Sequence, residues 1–225
     1  MKKLTGLLVA GLCLAGAGQL FAAGDKMPGA VDCRAGYEYA LKGDFEVKGR
    51  QGIATDGKYY YVSGSKSLYK YGKDGKLLLS NENPFEGYAI PSNHIGDIDV
   101  FEGELFISAE NFMDGVGKDI QIAIHDAETL KFKRTFKFDP SSGQQEVSGI
   151  CVDRDKRTVW MCSWVGEESG RYLYEYSLDS GKYLRKVHIF PVPQWVQGVY
   201  YHKGALYVTE LQRSEERRVG KECRS

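Results

Sequence analysis

Apolar and polar residues trade places at every second position through most of this chain. In SLYKY and YLYEYS the large side chains recur at i and i+2, the period of a strand with each face in its own environment. The runs are short and break at Asp56-Gly57, Lys73-Asp74-Gly75, Glu102-Gly103, Ser180-Gly181 and Lys203-Gly204, residue pairs that suit tight hairpin turns. The pattern predicts many short antiparallel strands and no long helix.

The strands repeat. QGIATDGKYYYVSGS from Gln51, GDIDVFEGELFISAE from Gly96, SGICVDRDKRTVWMCSW from Ser148 and QGVYYHKGALYVTEL from Gln197 share one plan. Each is a strand, a polar turn and a second strand with Ser or Thr near its end. The anchors Gly52, Asp97, Gly149 and Gly198 recur roughly every 50 residues. Two more strands follow each of the first three anchors: SLYKYG with KLLLSNE, DIQIAIHDA with KFKRTFKFD, and RYLYEYSLD with KYLRKVHIF. Four antiparallel strands per repeat is the signature of a β-propeller blade. The expected fold is all-β. Three blades are complete, and the hairpin of a fourth runs out near Glu210, half of a ring of about six or seven blades. Tyr37–Lys48, YEYALKGDFEVK, is expected to supply an outer strand for a last blade.

Composition agrees with strands and turns. Fifteen Tyr, ten Phe and 27 Gly accompany only four Met, and 42% of residues are apolar, a globular rather than disordered balance. Lys2 and Lys3 precede an apolar run from Leu4 to Gly18, and Leu20-Phe21-Ala22-Ala23 is a small-residue cleavage site. Residues 1–22 are therefore expected to be a signal peptide cleaved near Ala22, and residues 23–212 a secreted or periplasmic domain. No later segment is apolar enough to span a bilayer. Formal charge is zero over the whole chain, and setting aside the signal and residues 213–225 leaves a small acidic excess. That balance argues against nucleic acid as a partner. Of five cysteines, Cys33, Cys151 and Cys162 belong to the domain and show no CxxC spacing. Buried thiols, with at most one bridge to Cys33, are expected rather than zinc.

In a propeller the starts of the first strands and the ends of the second strands open on one face. The ligand-binding candidates there are Arg50, Gln51, His94, Asp97, Asp99, Glu146, Trp164, Trp195, Gln197 and Glu210, to hold a small molecule, glycan or protein. Asp97 stands where the other repeats carry glycine, and Asp99 projects to the same side of its strand. With Glu110 and Asn111 opposite, these four residues form a candidate metal set for a hard cation such as calcium. His94 or a carboxylate could instead serve as a general base. The plain alternative is structural: the aspartates cap backbone and the histidine bonds a carbonyl. Trp164 and Trp195 could stack on a sugar. Trp160, Tyr172, Tyr174 and Tyr176 are read as packing between blades, and ENFMDGVGKD, Glu110 to Asp119, as a flexible loop. No GxSxG, HExxH, P-loop or complete GxGxxG occurs, and no catalytic triad can be nominated.

From Gly49 to Glu210, on hairpins such as GIATDGKYYYVSG and GVYYHKGALYVTE, the chain resembles secreted bacterial propellers of the YVTN and quinoprotein-amine-dehydrogenase-like superfamily. It is also similar to the six-bladed gluconolactonase and strictosidine-synthase-like group. The resemblance implies a fold rather than an activity. Calcium-dependent lactonases of that group use a glutamate just before the first strand, where GRQGIATDG has Arg50 and Gln51. The closing RSEERRVGKECRS, Arg213 to Ser225, resembles a short-read sequencing adapter translated in one frame, and is expected to be foreign to a larger ring cut short near Gln212. The sequence thus points first to a binding module. A calcium-dependent lactonase- or arylesterase-like hydrolase at the same mouth is the second reading, and a protein-interaction scaffold the third.

Overall fold

The computed structural model describes residues 43–164, 168–189 and 196–210, together with the backbone of two short strands, β1 (Leu12–Ala15) and β2 (Val31–Asp32). The rest of residues 1–42, Trp195 and residues 211–225 lie outside the described residues, as do the signal peptide beyond β1, Cys33 and the adapter-like ending. No helix among the described residues is long and apolar enough to cross a membrane.

The first sheet is β3 (Ile53–Thr55), β4 (Tyr60–Gly64), β5 (Ser67–Tyr71) and β6 (Leu77–Asn81). The second is β7 (His94–Phe101), β8 (Glu104–Met113), β9 (Val116–Asp126) and β10 (Phe132–Lys137). The third is β11 (Gly149–Asp153), β12 (Thr158–Cys162), β13 (Tyr172–Ser177) and β14 (Tyr183–His188). In the fourth, β15 (Val196–His202) and β16 (Ala205–Glu210) are continued by β1 and β2. Every sheet is antiparallel in that order, the first three are meanders, and the four are arranged as propeller blades. The inner strands β3, β7, β11 and β15 lie side by side in chain order.

Strand alternation explains the packing. Along β12 every residue is buried, but Val159 and Met161 join a core with Phe106, Ile122 and Ile124 of the second blade, whereas Trp160 and Cys162 join Val199, Tyr201 and Val208 of the fourth. One blade thus feeds two interfaces because successive side chains leave opposite faces. A third core joins Tyr61 and Leu68 to Ile95, Ile98 and Ile107. Trp160, Tyr174 and Tyr176 are buried in these interfaces. Cys151 and Cys162 are buried free thiols, and burial pushes both well above the usual thiol range.

Three expectations change. The fourth sheet has four strands, with its outer pair drawn from the chain's beginning. The described part of Tyr37–Lys48 forms no strand. Phe45 instead packs on Tyr60 and Tyr71 at ring distances of 5.7 and 6.2 Å, and the Lys48 amide donates to the Tyr71 hydroxyl at 3.0 Å. Val47 joins Val62, Tyr69 and Tyr71, so the segment covers apolar surface on the first sheet. Finally, Glu110–Asp119 is not a loop. Asp114 and Gly115 both take positive φ, +53° and +81°, and close a two-residue turn that lets Asn111 pair with Lys118 and Met113 with Val116. Backbone twist at such a turn matches the strands, so the hairpin continues through residues that look like a loop.

Candidate functional site

The recurring Ser at the second-strand ends has a backbone task. Ser63 Oγ accepts from the Gly52 amide at 2.9 Å, and Ser108 Oγ accepts from the Asp97 amide at 2.8 Å. In the second blade this stitches a bulge between Ile95 and Ile98. In the third, Ser163 Oγ donates to the Glu146 carbonyl at 2.6 Å, and at the start of the first strand Ser148 Oγ donates to the Val196 carbonyl of the next blade at 2.8 Å. These bonds hold the inner-strand starts where the four blades converge.

Convergence there is close. A Cβ on Gly149 would lie 2.9 Å from Gly198 Cα, and one on Gly52 would lie 2.3 Å from Asp97 Oδ1 and 2.7 Å from the Ile98 nitrogen. The glycines at the repeat anchors leave room for one carboxylate, that of Asp97. Gly52→Ala is therefore expected to cost about 1–3 kcal/mol, measured by urea unfolding; an unchanged midpoint would contradict this crowding.

Asp97 accepts from the Ile98 amide at 2.8 Å and from the Ile150 amide. Asp99 accepts from Val100 at 2.7 Å, from Val152 at 2.8 Å and from Arg154 Nη2 at 3.1 Å. The two aspartates do face the same side, and that side is the free edge of β11. An inner strand has one unpaired edge, and Asp97 and Asp99 satisfy its amides at Ile150 and Val152. Burial pushes both carboxyls above the usual range, with the Asp99 charge adding to Asp97 and Arg154 opposing the rise at Asp99. Asp97 keeps partial solvent access although protein surrounds its carboxylate.

The face itself is built on His94. Its Nδ1 meets Glu110 Oε1 at 3.2 Å, its Nε2 meets the Gln51 amide nitrogen at 2.8 Å, and Phe112 packs beside the ring at 5.2 Å. Glu110 is fully buried; its other oxygen accepts from the Val147 amide at 3.2 Å. With the Gln51 amide nitrogen as the donor to Nε2, the Nδ1–H donates to Glu110. Gln51, His94, Glu110 and Val147 thus link the first three blades. Beyond Val147, the buried Glu146 accepts from the Trp164 amide at 2.5 Å, and Gly117 sits against both glutamates.

Other candidates stand apart. Arg50 and Gln197 are exposed, Asn111 is half-buried, Glu210 pairs through its backbone with Val196, and Trp195 lies outside the described residues. Among the described residues no group of three or more His, Cys, Asp or Glu is placed to hold a metal ion. The proposed calcium set does not fit that ion. Asp99 and Glu110 spend both oxygens on protein donors, and Asp97 accepts from the Ile98 and Ile150 amides. Asn93 was missed: its amide bridges both the carbonyl and the amide of Phe112, at 3.1 and 2.8 Å. Also missed was a cavity of about 520 Å3 at the opposite end, where the first-hairpin turns of all four blades meet. Each turn was visible in the sequence, but their meeting needs the ring.

No protein-family model matches the chain, and no curated protein matches it. Solved structures with a similar arrangement include a glutaminyl cyclase from Myxococcus xanthus (TM-score 0.46, 11% identity, 72% of this chain and 73% of that one). A streptogramin B lyase structure gives a TM-score of 0.46 at 14% identity, covering 71% of this chain and 47% of the lyase. The extracellular domain of the putative hybrid two component system BT4673 from B. thetaiotaomicron gives 0.45 at 18% identity, over 77% of this chain and 22% of that one. At these identities the likeness concerns architecture and leaves activity open.

Proposed function

We propose that this chain is an exported propeller that binds a small molecule, glycan or protein at the strand-start face, and that it is not a hydrolase. The observation that carries the reading is the His94 triad: a ring held by the buried Glu110 on one side and by the exposed amide of Gln51 on the other. A ligand donor can take the place of Gln51 at Nε2 without disturbing the buried half. Gln51 touches this anchor, Glu146 and Trp164 lie next to it beyond Val147, and the exposed Arg50 and Gln197 are proposed as outer contacts. The carboxylates a calcium-dependent hydrolase would need are committed to backbone amides, Arg154 and His94. The acidic excess of the domain disfavours nucleic acid. Export rests on the basic, apolar and small-residue order of residues 1–22; cleavage near Ala22 would remove β1 and leave β16 as a sheet edge.

Thermal-shift screening of the mature chain against metabolite and oligosaccharide libraries tests the reading. A ligand at ten times Kd is expected to raise Tm by about 3–5 °C, with the shift lost in His94→Ala. Equal shifts in the variant, or calcium-dependent ester turnover that disappears with His94, would overturn it.

A further inference from the structure

The cavity at the turn end is a concavity that this reading does not use. Its volume of about 520 Å3 lies within the span of small-molecule sites. Each blade contributes to its wall: Asp56 from the first, Phe101 and Glu102 from the second, Arg154 from the third, Tyr200 and His202 from the fourth.

The wall separates into committed and uncommitted groups. Asp56 accepts from the amides of Lys58 and Tyr59 and from the Tyr61 hydroxyl. Glu102 pairs with Arg157 at 3.1 Å, Arg154 is held by Asp99 and the Val100 carbonyl, and Asp155 accepts from the Tyr201 hydroxyl. In contrast, the Tyr200 hydroxyl, both His202 nitrogens and the Lys203 ammonium make no hydrogen bond within the described residues. Tyr200 is 52% exposed, an unusual position for a large ring. His202 lies nearly parallel to it, with centroids 6.2 Å apart and planes 15° apart. The two near-parallel rings form an exposed aromatic platform beside free donors and acceptors.

The ligand class follows from this surface. The lining carries charges of both signs, Asp56, Glu102 and Asp155 against Arg154 and Lys203, and so has no excess of positive charge to draw phosphates or other polyanions. An exposed aromatic platform suits an apolar ring face, and the free donors and acceptors beside it suit hydroxyls that both donate and accept. We propose that this turn-end cavity binds a neutral saccharide, with one sugar ring stacked on the exposed Tyr200 ring beside His202 and its hydroxyls reaching the His202 nitrogens and Lys203. The assignment is independent of the strand-start face.

Isothermal titration of the mature chain with maltose, cellobiose and N,N′-diacetylchitobiose tests it. At least one disaccharide is expected to bind with a Kd of about 0.1–1 mM, some −4 to −5.5 kcal/mol. Tyr200→Ala is expected to weaken that binding at least tenfold. Tyr200→Trp, which keeps the platform, should retain it, and so should His94→Ala, which alters only the opposite face. No heat from any of the three sugars at about 10 mM would overturn the proposal. So would binding that Tyr200→Ala leaves intact in a variant with the wild-type melting temperature, or binding lost in His94→Ala and kept in Tyr200→Ala.

Discussion

Asp99→Ala is expected to lower the stability of the folded chain by about 3 kcal/mol or more, the largest effect of any single side chain on the inner strands. Asp99 is 5% exposed, and its two oxygens serve three donors. Two of these are the amides of Val100 and Val152, and the third is Arg154. Alanine would leave both amides without an acceptor in a place that water reaches poorly, at about 1–3 kcal/mol for each orphaned group. It would also free Arg154, which is only partly solvated and carries its own desolvation cost. The Val152 bond is the costly one for the fold, because it joins β7 of one blade to β11 of the next. Asp99→Asn preserves volume but turns an amide nitrogen toward N–H donors, and should recover little. Urea unfolding followed by the fluorescence of Trp160, buried in the adjoining interface, gives the difference directly. A loss below about 1 kcal/mol, the net value of one ordinary hydrogen bond, would mean that the edge of β11 does not depend on this carboxylate.

Asp97→Asn should act in the opposite direction and change with pH. Burial, with Asp99 nearby, pushes the folded Asp97 carboxyl well above its ordinary value. From about pH 4 up to that raised value the folded chain holds a proton that the unfolded chain has released. Stability therefore falls as pH rises through this window. Asparagine has the same outline and a carbonyl oxygen for the Ile98 or Ile150 amide, and it carries no charge to bury. The variant is expected to melt above the wild type at pH 8, with the gap shrinking toward pH 4. Paired thermal melts across that range check this, and a gap that is constant with pH would show that Asp97 is ionised in the fold at little cost.

These two residues also show how far the chain could be read without its fold. NHIGDID stood out because Asp97 replaced a repeated glycine, and the two-residue spacing placed Asp97 and Asp99 on one side of a strand. That geometry holds. What occupies that side was invisible, because the Ile150 and Val152 amides belong to a different repeat and reach the aspartates only when the inner strands line up. Two carboxylates at this spacing suit a cation or a strand edge equally well. Glu110 was likewise grouped with the aspartates, yet its burial and its bonds to His94 and Val147 set it to a different task.

Turns followed the same division. Glu102-Gly103 and Lys203-Gly204 were legible as tight turns, and their positive φ angles agree. Asp114-Gly115 has the same chemistry, but the polar, glycine-rich residues around it hid the strands it joins. Nothing in the sequence singles out Tyr200. Its role depends on which face of β15 meets the third blade: Val199 and Tyr201 turn inward, leaving Tyr200 and His202 outside.

Alternation, turn chemistry and the repeat of glycine anchors are local properties, and by themselves they determined most of the strands, the meander of the first three blades and the propeller architecture. The tertiary structure alone decided that Asp97, Asp99 and Glu110 face backbone amides, that His94 joins three blades, and that the turns of four blades line a cavity. The reason is distance along the chain. Hydrogen bonds and pockets form between residues that the ring brings together from separate repeats, and no period within a single repeat records which neighbour that will be.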